Sequence, residues 1–171
     1  LAEFTGSVEN IKQVQLFLEK KDELTPLQVR QLEQALYLAA DKPQTVKDLV
    51  KMRIKLETEL NEKLYGFDFQ IDGKSVTPND IDRILWESTD PDERLAAWRA
   101  SKEVGKVLKH GLDELRDLRN QTVQALGYDD FFTYQVSDYG MSRQEMMERL
   151  EKINHEIYPL YRELHTYARY E

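Results

Sequence analysis

Cysteine is absent from the 171 residues, so the chain can form no disulfide, thiolate metal site or cysteine nucleophile. That absence leaves the compartment open, because many exported proteins also lack cysteine. Histidine is scarce, with only His110, His155 and His165 present. Their spacings of 45 and 10 residues match no metal-site signature. Seven glycines and five prolines are too few and too scattered for a phosphate-cradling loop, a G-x-S-x-G elbow or a dividing linker. No run of about 18 apolar residues occurs, so no segment reads as a membrane-spanning helix. Positive charge is in deficit, with 24 Lys and Arg against 32 Asp and Glu, a formal net charge of -8. Such a surface repels phosphate backbones and argues against nucleic-acid binding.

What is present suits helices. Charged residues make up 33% of the chain and apolar residues 40%, the balance of amphipathic helices with wide solvated faces. Start signals recur. Thr25-Pro26-Leu27-Gln28 sets a capping threonine, a proline at the first helical position and a glutamine at the third. Thr77-Pro78-Asn79-Asp80 and Asp90-Pro91-Asp92-Glu93 repeat the arrangement. Ser142 with Glu145 is a plain capping box, and Thr45 with Asp48 a weaker one. Helices are predicted at 8–20, 26–40, 46–64, 78–87, 91–126, 130–138 and 143–171. Gly105 and Gly111 each weaken the long helix by about 1 kcal/mol, and a break or bend is expected near Lys109-His110-Gly111. Its apolar face runs through Leu108, Leu112, Leu115, Leu118 and Val123. Pro159 should kink the last helix. Phe67–Ile71 alternates like a strand and meets the turn pair Asp72-Gly73, so one short hairpin or extended arm near 67–76 is the only β structure expected. The fold class is all-α, and residues 1–171 read as a single helical segment.

The residues taken by themselves offer no catalytic, cofactor-binding or metal-binding set. His155-Glu156-Ile157-Tyr158-Pro159 approaches a zincin motif, which needs histidines four residues apart with a glutamate between them. Its second position is proline, which has no ligand atom. Asp113, Glu114 and Asp117 lie among Arg116 and Arg119 at helical spacing and read as solvated ion pairs. Tyr158, Tyr161, Tyr167 and Tyr170 share the end of the last helix, with core packing the default reading. Trp98, inside the long helix, is expected to be a core anchor, at about 3–5 kcal/mol for its removal.

From Leu95 onward the sequence resembles the angiotensin-converting enzyme (peptidyl-dipeptidase A) family. The likeness runs through Leu95, Ala97-Trp98, Val104-Gly105, Leu118, Asn120 and Gly127-Tyr128 to Asp130. It resumes at Pro159-Leu160-Tyr161, Leu164-His165, Tyr167 and Arg169, similar to the family's P-L-Y-x-x-L-H-x-Y-x-R run. The wording looks closer to bacterial members than to animal ones.

The resemblance implies an N-terminal or internal portion of a larger helical zincin-type peptidase, with its H-E-x-x-H zinc motif beyond residue 171. It implies zinc in the intact enzyme, peptide substrates cleaved near the C-terminus, and chloride as a possible further ion, with Arg169 where some members place a chloride-binding arginine. A structural ion pair with a neighbouring glutamate is the alternative for Arg169. The chain itself is expected to supply lid and cleft wall, to be inactive alone, and to meet the remainder of its parent chain or self-associate through Tyr161, Leu164 and Tyr167. Export to a periplasmic or extracellular space follows from the same resemblance, with the signal segment removed before Leu1. Two other readings stay open, a non-catalytic helical interaction module on a peptidase-like scaffold and a helical zinc peptidase of different specificity.

Overall fold

Local capping chemistry sets most of the architecture. The structure, a computed structural model, describes residues 2–170, with side chains from residue 4 on. The Thr25 hydroxyl accepts from the Gln28 amide at 3.4 Å while the Gln28 side chain accepts from the Thr25 amide at 2.9 Å. This reciprocal pairing starts α3 (Pro26–Ala40), and a cap of this kind is worth about 1 kcal/mol. Thr77 and Asp80 repeat it at 3.2 and 3.0 Å before α5 (Pro78–Glu87). Ser142 and Glu145 repeat it at 3.2 and 2.7 Å before α8 (Arg143–Tyr170).

Asp90 behaves differently ahead of α6 (Pro91–Gln124). Its carboxylate accepts from the Asp92 and Glu93 amides at 2.9 and 3.4 Å. The Ser88 hydroxyl lies between the partners of the expected box, accepting from the Asp90 amide and donating to Glu93. Two further caps had no recognised signal. Ser7 starts α2 (Val8–Leu18), and Asp130 starts α7 (Phe131–Ser137). Thr45 sits inside a single 3-10 turn, Gln44–Val46, from which α4 (Lys47–Tyr65) continues. The short α1 (Ala2–Thr5) and a 3-10 turn at Lys21–Glu23 were not foreseen. The expected helix end at residue 171 lies outside the described residues.

The hairpin forms where alternation placed it. Strands β1 (Phe69–Ile71) and β2 (Lys74–Val76) pair antiparallel, with Phe69 opposite Val76 and Ile71 opposite Lys74. Asp72 and Gly73 take φ of 51° and 75°, the left-handed pair that a two-residue turn between right-twisted strands requires. Asp68 accepts from Ser75 and Gln70 side chains across the arm, and these bonds, Ser75 first, hold its carboxyl below the usual range.

Two compact units divide the chain. One joins Leu1–Val46 to Asn120–Glu171, and the other is Lys47–Arg119. The core of the first gathers Ile11, Ala39, Ala40, Val123, Leu126 and Tyr134, with Tyr37 and Tyr128 packed against it. Gly127 at φ 96° ends the turn after α6 and admits Tyr128 to that core. The second unit has two clusters. Phe69, Ile81, Ala97 and Ala100 pin the hairpin to α5 and α6, while Leu60 of α4 meets Leu108 and Leu115 of α6.

Three expectations fail within the second unit, each for a packing reason. Trp98 is 52% exposed. The inward line of α6 runs through Ala97, Ala100, Val104 and Leu108, and a helix turns about 100° per residue, so position 98 points to solvent. There the Lys102 ammonium lies over its ring at 5.5 Å. The break near Lys109-His110-Gly111 does not occur, for α6 is helical throughout. Gly111 instead marks a close approach, since a Cβ there would lie 2.7 Å from the Leu60 Cδ2. Leu112, expected on the apolar face, is 51% exposed at the rim of a groove beside Leu60 and Leu64.

Candidate functional site

The Pro-Leu-Tyr…His-x-Tyr-x-Arg run lies on α8, which continues through Pro159. Every residue from Met147 to Tyr170 is exposed, so core packing of the tyrosines, the default from sequence, does not hold here. Residues three and four apart share a helix face, and that spacing gathers Tyr158, Tyr161, Arg162, His165 and Arg169 along a shallow groove of ≈ 260 Å³. The Tyr161 and His165 rings stack at 5.4 Å and 14°. The Thr166 hydroxyl donates to the Arg162 carbonyl one turn back at 2.8 Å. Two guanidiniums beside the stacked Tyr161 and His165 rings form a cationic, aromatic surface suited to anionic groups. The glutamate partner considered for Arg169 is not found among the described residues. Among the described residues no second element lines this groove with Arg169.

A second concavity, ≈ 490 Å³, lies in the first unit between α3 and the turns on either side of α7. Arg30 forms part of it and donates to the Ser137 and Asp138 carbonyls at 3.4 and 3.3 Å, while Gln34 donates to the Asp138 carboxylate at 3.3 Å. Behind it, Tyr134 stacks on Tyr37 at 4.7 Å and meets Tyr128 edge-on at 5.3 Å. Burial pushes the Tyr128 and Tyr134 phenols up, so both remain neutral hydroxyls at ordinary pH. The rim carries Glu33 and Glu145 beside Arg30. The Ser142 backbone amide, then its hydroxyl, hold the Glu145 carboxyl below the usual range. Nothing in the local sequence could have revealed this concavity, because its walls come from positions about a hundred residues apart.

Of the three carboxylates singled out on α6, Asp113 and Asp117 form ion pairs. Arg116 pairs with Asp117 at 2.8 Å and Asp113 at 3.5 Å. Arg119 reaches Glu57 of α4 at 3.0 Å, a pairing across helices that sequence spacing did not anticipate. Among the described residues no group of three or more His, Cys, Asp or Glu is placed to hold a metal ion. His110 is on α6, whereas His155 and His165 are on α8, with Pro159 where a zincin would carry its second histidine. No reaction step is therefore assigned to a metal on these residues. Among the described residues no helix is long and apolar enough to cross a membrane.

A helical scaffold with capped amphipathic helices, one small hairpin and an exposed aromatic-cationic strip is the class defined so far. Comparison with known proteins gives the family. Residues 3–171 match peptidase family M2, angiotensin-converting enzyme, and the chain belongs to that family. It is also 34% identical over 91 residues to the angiotensin-converting enzyme-like protein Ace3 of Mus musculus, an alignment covering 53% of this chain and 12% of that relative. The chain thus spans a small part of the length of this curated relative. No solved structure matches it significantly.

Proposed function

We propose that the chain is part of a zinc-dependent peptidyl-dipeptidase, an exported enzyme of bacterial type that hydrolyses peptides near their C-terminus. Residues 1–171 supply lid and cleft-wall helices, and the metal and the catalytic groups come from sequence outside them. The observation carrying this reading is the family match across nearly the whole chain, joined to a described structure without a metal-capable cluster. In the intact enzyme zinc would polarise the scissile carbonyl and acidify the attacking water. This chain's own part is to shape the cleft and exclude solvent. Arg169, at the end of the cationic strip, is the residue we assign to chloride, as one ligand completed by groups from elsewhere.

A second reading, a non-catalytic interaction module on the same scaffold, is favoured by one observation, the uncovered apolar and aromatic face of α8. One pair of experiments separates the two. The purified chain, loaded with zinc and dialysed, is expected to retain no stoichiometric metal by elemental analysis and to leave a blocked tripeptide uncut. A longer product of the same gene is expected to release C-terminal dipeptides in a zinc-dependent manner. Activity of the 171-residue chain alone would refute the division of labour, and an inactive longer product without zinc would favour the module.

A further inference from the structure

We draw no further inference here: the strongest candidate, the ≈ 490 Å³ concavity of the first unit between α3 and the turns on either side of α7, carries nothing because Arg30 in its wall already donates to the Ser137 and Asp138 carbonyls and nothing in the structure shows what covers it.

Discussion

Gly105 and Gly111 lie six residues apart in α6, and the same substitution to alanine should move stability in opposite directions. Both cost the helix backbone entropy, so replacing either removes a penalty of about 0.5–1 kcal/mol if the new methyl group has room. At Gly105 nothing lies within 4 Å of the added Cβ, and Gly105→Ala should stabilise by about that amount. At Gly111 the added Cβ would stand 2.7 Å from Leu60 Cδ2, where ordinary contact begins at 3.4 Å. Leu60 is only 5% exposed and packs with Leu108 and Leu115, so its tip must shift by about 0.7 Å against those two side chains or along the groove that they line together. Overpacking of that kind costs about 1–3 kcal/mol. Less the propensity gain, Gly111→Ala should destabilise by about 1 kcal/mol. Trp86 and Trp98 both lie in the Lys47–Arg119 unit, so tryptophan fluorescence during urea titration follows this unit. Leu60→Ala provides the cross-check, for in its background the Gly111→Ala penalty should vanish, giving a favourable coupling of about 1 kcal/mol or more. A Gly111→Ala protein as stable as Gly105→Ala would refute the close-approach argument.

Two further outcomes follow from the same structure. Trp98→Ala should lower the unfolding free energy from urea titration by no more than about 1 kcal/mol, because the ring is half solvated beneath Lys102 and leaves no enclosed cavity; a loss of about 3 kcal/mol would place it in a core. Glu145 and Asp80 titrate below their ordinary values of 4.5 and 3.8 in the folded chain. Their stabilisation is therefore complete above those values and lost as pH falls through the lower folded ones. Stability should fall between about pH 5 and pH 2, and Glu145→Gln should flatten part of that slope, whereas an unchanged slope would discount the Ser142 box.

The sequence by itself determined what local chemistry controls. Thr25, Thr77 and Ser142 satisfy amide groups within three residues of themselves, so α3 and α5 begin and end where predicted and α8 begins where predicted. Asp72-Gly73 fixed the hairpin through its own backbone conformation. Family membership was also legible, because spaced residues from Leu95 to Arg169 survive as a pattern without any knowledge of contacts. Tertiary structure alone decided matters that depend on distant partners. Gly111 reads as a helix breaker until Leu60, 51 positions earlier, is seen to need the missing side chain. Arg119 appeared paired along its own helix, yet Glu57 of α4 claims it. Trp98 has the composition of a core residue but stands one position from the inward line set by Ala97 and Ala100. Where α8 begins is written in the sequence, at Ser142. That its tyrosines stand exposed among the described residues is not, because exposure depends on which distant elements pack there.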